Sequence, residues 1–214
     1  MKELLKNLND IKILDYIVGF PVVREKIAAC EDISNDALLA LSEDSNNIVR
    51  SMVAANKSVS AEILEKLSND NDYYVLLEVA KNANTPSHVL TDLAKIDNYY
   101  INLNIAKNNN SSEELLKTFA LDDNINLRHA VAQNVSASTD ILAILSKDND
   151  VSIRCEVARN KSTHIDIIRV LAKDSSCEVR SSVVENAKVT EDILKKLVKD
   201  RSKRVKQAAL EKIT

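Results

Sequence analysis

Apolar residues recur along this chain in two alternating patterns, each typical of a short amphipathic helix. In the first pattern they occupy positions i, i+1 and i+4, as at Ile63, Leu64 and Leu67, which gives one buried face. In the second pattern an aliphatic residue returns one turn later, as at Val75 and Val79. Both patterns repeat every 26 residues along most of the chain. The sequence therefore predicts one two-helix unit that is stacked about eight times.

Polar residues keep the same interval. Residues that can accept a hydrogen bond from the free amides of a first turn precede each second helix: Asn46, Asp72, Asn98, Asn124, Asp150, Ser176 and Ser202. A similar column precedes the first helix: Ser34, Ser60, Pro86, Ser112, Ser138, His164 and Thr190. Asparagine also recurs after the second helix, with Cys30 and Lys212 completing the series at its ends: Asn56, Asn82, Asn108, Asn134, Asn160 and Asn186.

The fold class follows from these columns. Glycine occurs once and proline twice, which disfavours hairpins and long loops, and neither helix could be stable alone at this length. A column of alanine beside the second stripe, which includes Ala80 and Ala106, lets neighbouring repeats approach closely. We predict an all-α fold, a right-handed α-solenoid (superhelix) of about eight 26-residue two-helix repeats. It forms one domain over residues 1–214, with an N-terminal cap at 1–20 and a C-terminal capping repeat at 191–214.

Charge and cysteine content restrict the environment of the protein. The formal charge is −3, from 29 basic and 32 acidic residues, so there is no global attraction to nucleic acid or anionic lipid. Three irregularly spaced cysteines are not a disulfide framework. Lys6, Asp10 and Lys12 interrupt the N-terminal apolar stretch, unlike a signal peptide or a membrane span. We expect a soluble protein of the reducing cytoplasm, with no membrane partner.

The repeat resembles two known families. The stretch from Leu145 through Asp148 and Ile153 to Asn160 resembles the leucine-rich repeat variant and the broader HEAT-like helical repeats, and the likeness runs from about Val22 to the end. The HEAT-like resemblance depends on an aspartate followed six residues later by an arginine: Asp44 and Arg50, Asp122 and Arg128, Asp148 and Arg154, Asp174 and Arg180. It implies a HEAT/armadillo-like architecture, a ladder of paired charges along the inner helices, and a binding scaffold whose partner the family does not specify.

Two departures from these families matter. The repeat is shorter than the usual HEAT length, which favours the leucine-rich variant type. An N-terminal cysteine cluster carries an iron–sulfur centre in one such protein, whereas Cys30 stands alone here. We therefore expect no iron–sulfur cofactor.

No residue pattern indicates catalysis or a metal. The aspartate and arginine columns recur in several repeats, whereas an active site is singular, so we interpret them as structural. Cys155 and Cys177 lack the close spacing of zinc or iron–sulfur ligands, and His129 and His164 have no ligand or nucleophile placed beside them by sequence. The chain has no glycine-rich phosphate loop. We expect no enzymatic activity, no cofactor and no metal.

The C-terminal end is locally basic. Residues 191–214 contain eight basic and four acidic residues, and this excess could contact phosphates. A lysine-rich last repeat also gives a solenoid its polar end. The absence of tryptophan disfavours base stacking. The candidate nucleic-acid residues, kept as an alternative, are Lys195, Lys196, Lys199, Arg201, Lys203, Arg204 and Lys206.

Tyrosine is concentrated at one place in the array. Two doublets, Tyr73–Tyr74 and Tyr99–Tyr100, begin the second helices of adjacent repeats. A helical wheel points Tyr74 and Tyr100 away from the core, and other repeats carry polar residues such as Glu178 in that column. The opposing interpretation is that the rings pack between helices. The candidate binding residues, called the central strip below, are Ile48, Met52, Tyr73, Tyr74, Leu77, Tyr99, Tyr100 and Leu103.

Together these observations predict a non-enzymatic helical-repeat scaffold. It binds an unidentified protein or peptide through the second-helix face, which we expect to be concave. The alternative is a nucleic-acid-associated HEAT-like protein that uses its basic C-terminal repeat; the overall charge disfavours this partner. The sequence does not specify the oligomeric state.

Overall fold

The computed structural model describes residues 19–213. These residues form fifteen α-helices and no strand, in two compact units whose boundary lies between Ser112 and Glu113. The first unit contains α1 (Pro21–Ala28), α2 (Asn35–Leu41), α3 (Asn47–Ala55), α4 (Ala61–Leu67), α5 (Tyr73–Lys81), α6 (Ser87–Ala94) and α7 (Tyr99–Lys107).

The second unit continues the same alternation of a shorter and a longer helix. It contains α8 (Glu113–Ala120), α9 (Ile125–Gln133), α10 (Thr139–Leu145), α11 (Val151–Arg159), α12 (Ile165–Leu171), α13 (Cys177–Glu185), α14 (Glu191–Leu197) and α15 (Lys203–Ile213). Seven helix pairs and α1, which occupies the position of a second helix, agree with the predicted number of repeats. The all-helical repeat solenoid is thus confirmed. The predicted N-terminal cap lies outside the described residues except for Gly19 and Phe20, and the single domain over 1–214 stays a prediction.

The polar columns begin the helices as expected. The Asp72 carboxylate accepts hydrogen bonds from the amides of Tyr74 (2.9 Å) and Val75 (3.3 Å), which are free amides of the first turn of α5. Ser60 caps α4 in the same way. Thr190 does not cap α14, because its hydroxyl is hydrogen-bonded to the Asp192 carboxylate.

Stacking of neighbouring repeats builds the core. Within each unit every second helix packs against the second helix of the next repeat, and the first helices pack against the second helices that follow them. Val49, Val53 and Ala54 of α3 are fully buried. The alanine column is buried throughout, as close helix packing requires. A helix of nine residues is thus stabilised by its neighbours rather than by its own propensity.

The asparagine column connects successive repeats by hydrogen bonds. The Asn82 side chain is 8% exposed, and its Nδ2 donates to the carbonyl oxygens of Ala54 (2.7 Å) and Asn56 (2.9 Å). These carbonyls lie at the C-terminal end of α3, where the last carbonyl oxygens of a helix have no amide donor within the helix. Asn82 Oδ1 also accepts from the Asn84 amide (2.9 Å), which turns the chain out of α5. Four more asparagines donate to the equivalent carbonyls: Asn56, Asn108, Asn160 and Asn186.

In α15, Lys212 donates to the equivalent carbonyl oxygens in place of an asparagine. Its Nζ donates to the carbonyl oxygens of Glu185 (3.3 Å) and Asn186 (3.1 Å), beyond which no further repeat is described. Among the described helices none is long and apolar enough to cross a membrane.

Candidate functional site

The two tyrosine doublets form paired aromatic rings at the start of α5 and α7. Tyr73 and Tyr99 are half-buried, whereas Tyr74 is 64% and Tyr100 58% exposed. The rings of each doublet meet edge to face, with centroids 5.3 Å apart in the first doublet and 5.0 Å apart in the second. This arrangement is a favoured aromatic contact. The half-buried ring of each doublet therefore restrains the exposed ring before any ligand binds.

A groove between α3 and α5 brings part of the central strip together. Ile48 and Met52 are 48% and 37% exposed on α3, and with Tyr74 of α5 they line a groove of about 390 Å³. The remaining lining residues are Asn47, Ser51, Ala55 and Glu78. Leu77 and Leu103 are half-buried on α5 and α7 and do not line this groove.

Sequence comparison missed four of the groove's lining residues. The four are polar or small, so a search for exposed apolar side chains does not select them: Asn47, Ser51, Ala55 and Glu78. Their positions within the repeat were nevertheless available: Asn47, Ser51 and Ala55 follow one another at helical spacing on α3, and Glu78 occupies the Met52 column on α5. A comparison of equivalent positions in successive repeats, rather than of residue types, would have found them.

The polar groups around the groove already have partners. Glu78 is the charged residue among the groove's lining residues, and Lys81 neutralises it at 2.7 Å. The Ser51 hydroxyl donates to the carbonyl oxygen of Ile48 (2.9 Å). In contrast, the hydroxyls of Tyr74 and Tyr100 have no hydrogen-bond partner within residues 19–213. The exposed rings therefore offer hydrogen-bond donors beside an apolar surface.

An equivalent groove in the second unit has a different character. It lies between α11 and α13, has a volume of about 730 Å³ and contains Ser152, Glu156 and Glu178 at the positions of Ile48, Met52 and Tyr74. Arg159 and Cys155 also line it. The same backbone groove is thus mostly apolar in the first unit and more polar in the second. Two exposed aliphatic residues that sequence comparison missed, Ile125 and Val151, occupy the column of Tyr73 and Tyr99.

The arginine and aspartate columns form buried ion pairs between consecutive repeats. Arg50 binds the Asp70 carboxylate through Nε (2.6 Å) and Nη2 (2.9 Å), and its Nη1 donates to the carbonyl oxygen of Asp44 (2.7 Å). The arginine therefore pairs with the aspartate twenty residues later, and it meets the aspartate six residues earlier through the backbone. The same pairing joins Arg24 to Asp44, Arg128 to Asp148, Arg154 to Asp174 and Arg180 to Asp200.

Burial distinguishes this ladder from surface salt bridges. The paired side chains are 6% to 19% exposed, and each contact is a bidentate, charge-assisted one. The hydrogen bond from Arg50 holds the pKa of the Asp70 carboxyl below its ordinary value, and Arg180 lowers the pKa of Asp200 in the same way. These carboxylates are ionised and fully engaged, which makes them poor candidates for proton transfer.

The ladder stops where the tyrosines begin. Leu76 and Ile96 replace the arginine and aspartate in the central repeats, and Ile96 is 48% exposed. Asn102 occupies the next arginine position, and its buried Oδ1 has no hydrogen-bond partner among the described residues. The central repeats thus depart from the ladder and carry the aromatic surface together, as the sequence indicated.

The basic residues of the C-terminal repeat are all exposed. Lys195 and Lys196 belong to α14, Lys199 and Arg201 to the following turn, and Lys203, Arg204 and Lys206 to α15. Lys195 is already paired with Glu191 at 2.7 Å, and Arg201 donates to the Ser175 carbonyl oxygen. These seven residues are therefore spread over three segments rather than gathered around one pocket.

The cysteines do not form a recognisable reactive site. Within residues 19–213 no group of three or more metal-binding side chains is close enough to hold an ion. Cys155 is buried, and burial raises the pKa of its thiol, so the thiolate is disfavoured. Cys30 and Cys177 are half-buried and also free.

The helix pairs, the buried ladders and the stacked core define the class of helical-repeat proteins. A solved structure described as a leucine-rich repeat variant with a novel repetitive protein structural motif shares this fold, with a TM-score of 0.57. The match covers 84% of this chain and 71% of the other at 24% identity. It confirms the predicted resemblance to the leucine-rich repeat variant at the level of the fold. No family model and no curated protein matches the sequence.

Proposed function

We propose that this helical-repeat protein is a non-enzymatic scaffold that binds a protein or peptide partner through the central strip. One observation carries the proposal: Tyr74 and Tyr100 are more than half exposed although each is held by a neighbouring ring, and Tyr74 also lines an apolar groove. Aromatic residues of this kind are typical anchors of protein interfaces. A restrained ring also loses little conformational entropy when a partner binds.

Two further observations support a binding role over catalysis. The carboxylates that recur along the array are buried in bidentate ion pairs with arginine, so they have no free position for a substrate. The thiol of Cys155 is shifted away from its reactive form. The repeat fold itself is one that generally serves protein interaction.

The test compares capture of partners by the wild-type protein and by a Tyr74→Ser/Tyr100→Ser double variant. The matched control is Val170→Ser, which removes an aliphatic side chain that is 62% exposed on α12 of the second unit. Loss of an anchor should weaken binding by about 1 to 3 kcal/mol, and the control should bind as the wild type does. Equal binding by all three proteins would refute the strip as the interface.

Thermal melts show whether the double variant still folds. Since both rings are mostly exposed, each serine replacement should change the free energy of unfolding by less than about 1 kcal/mol. Truncation of a buried aromatic residue would instead cost about 3 to 5 kcal/mol. A large fall in melting temperature in both single variants would contradict the proposed surface role.

The nucleic-acid alternative is separated by a nuclease treatment. The seven exposed basic residues of the last repeat are its support. A bound partner that disappears after nuclease treatment, and whose binding weakens steeply with salt, would favour this alternative. Under the main proposal neither treatment removes the partner.

A further inference from the structure

We propose that the segment bound by the central strip is a proline-rich peptide in the polyproline II conformation. It crosses α3, α5 and α7 and places a proline or another apolar side chain against the strip at every third position. This inference rests on the proposed function and specifies the chemistry of the partner.

The spacing of the strip favours this conformation. Each of the three helices contributes one exposed apolar side chain at the same position of the repeat: Ile48, Tyr74 and Tyr100. The three helices pack directly against one another, α3 on α5 and α5 on α7. Packed helices lie about 8 to 10 Å apart. A polyproline II helix presents the same face every three residues, or about 9.3 Å. An extended strand presents the same face about every 6.6 Å, so its side chains would not match the spacing of successive helices.

The tyrosine hydroxyls discriminate against a helical ligand. An α-helix also repeats near this spacing, at about 10.5 Å over seven residues, but its carbonyl oxygens are bonded within the helix. A polyproline II segment has no internal hydrogen bonds, so its carbonyl oxygens can accept from Tyr74 and Tyr100. Proline also has no amide hydrogen, so its backbone can lie on an apolar surface without an unsatisfied donor.

The charges of the groove agree with an uncharged ligand. Glu78, the charged lining residue, is already paired with Lys81 at 2.7 Å. Ile48, Met52 and Ala55 complete an apolar surface on α3. Proline rings bring apolar area with no charge, which suits this surface. The edge-to-face contacts hold both exposed rings in place for stacking.

The test uses two arrays of twelve-residue peptides and the full chain. One array fixes proline or leucine at every third position and varies the others; the second contains helix-forming peptides with leucine seven residues apart. The strongest binders of each array are then titrated by fluorescence anisotropy. We expect binders in the proline array, weakened about fivefold to 150-fold by Tyr74→Ser or Tyr100→Ser. The Val170→Ser control should bind with unchanged affinity.

A conservative variant tests the hydroxyl itself. Tyr74→Phe keeps the ring and removes the donor, so its affinity for the proline peptides should fall about twofold to tenfold. A smaller loss than with Tyr74→Ser is expected because the ring still stacks. Affinity equal to that of the wild type would overturn the role of the hydroxyl and, with it, the argument against a helical ligand.

The outcomes separate this inference from the proposed function. Tyrosine-dependent binding of the helical array alone overturns the polyproline conformation and leaves the binding strip intact. The same conclusion follows if neither array binds while a full-length partner still does so through the tyrosines. If sedimentation shows self-association that Tyr74→Ser abolishes, a second copy covers the strip and the peptide inference is wrong. Loss of all tyrosine dependence overturns the proposed function as well.

Discussion

Replacement of Asn82 by alanine tests the hydrogen-bond connection between repeats. Asn82 donates to the carbonyl oxygens of Ala54 and Asn56 and accepts from the amide of Asn84, and its side chain is 8% exposed. The alanine variant loses all three hydrogen bonds. The two carbonyl oxygens lie at the C-terminal end of α3; that of Asn56 keeps a long contact from the Val59 amide (3.4 Å), whereas that of Ala54 loses its side-chain donor.

The expected cost follows from these three contacts. An intramolecular hydrogen bond contributes about 0.5 to 1.5 kcal/mol net, and a buried polar group left without a partner costs about 1 to 3 kcal/mol. Water can reach the exposed Asn84 amide and the Asn56 carbonyl oxygen keeps the Val59 amide, so the Ala54 carbonyl oxygen dominates the cost. We expect a loss of about 2 to 5 kcal/mol. Asn82→Asp should be at least as damaging, because it places a carboxylate against the same two carbonyl oxygens.

Urea unfolding followed by far-UV circular dichroism measures the effect. Two controls bracket it. Asn69→Ala removes a single 3.2 Å contact from an exposed side chain and should change the free energy of unfolding by less than about 0.5 kcal/mol. Lys212→Ala removes donors to the equivalent carbonyl oxygens from an exposed side chain at the end of the array, where water can replace the ammonium, so its cost should be intermediate.

The comparison with Asn69→Ala decides the outcome. If Asn82→Ala costs no more than that control, the asparagine column is not a stabilising ladder. Its regular spacing would then need another explanation. A change in the denaturant slope, rather than the midpoint, would show that the array no longer unfolds as one cooperative unit.

The remaining predictions concern acid stability, truncation, packing and metals. The pKa of Asp200 is lowered in the folded state by Arg180, so its stabilisation is present above the unfolded value of about 3.9 and is lost as pH falls through the lower folded value. Urea unfolding should therefore show a steeper loss of stability below about pH 4 for the wild type than for Asp200→Asn; equal slopes would contradict the ion pair. Deletion from Glu191 onward should leave a helical but less stable remainder by circular dichroism, and loss of all helicity would refute nearest-neighbour stacking. Ala80→Leu should overpack the core by about 1 to 3 kcal/mol in the same unfolding assay, and an unchanged midpoint would show that the helices have room there. Elemental analysis should find no stoichiometric zinc or iron, and one metal per chain that Cys155→Ser removes would overturn this.

Features that depend on contacts within one repeat were open to sequence analysis. The Asp72 cap reaches amides two and three residues away, and the Val75 and Val79 stripe follows from helical geometry alone. Comparison of equivalent positions also pointed Tyr74 and Tyr100 outward, because later repeats carry polar or charged residues there. The exposure of both rings agrees with that inference, while their role in binding stays a prediction.

Features that depend on how one repeat sits on the next needed the tertiary structure. The 26-residue period and the residue types of each column determined the helices, their caps and their buried faces, since these use bonds a few residues apart. The sequence could not assign the partner of Arg50, which is the carboxylate of Asp70 rather than that of Asp44. Nor could it show that Asn82 reaches back to α3. The offset between stacked helices sets which groups meet, and that offset arises from packing across the repeat interface rather than from any local preference of the chain.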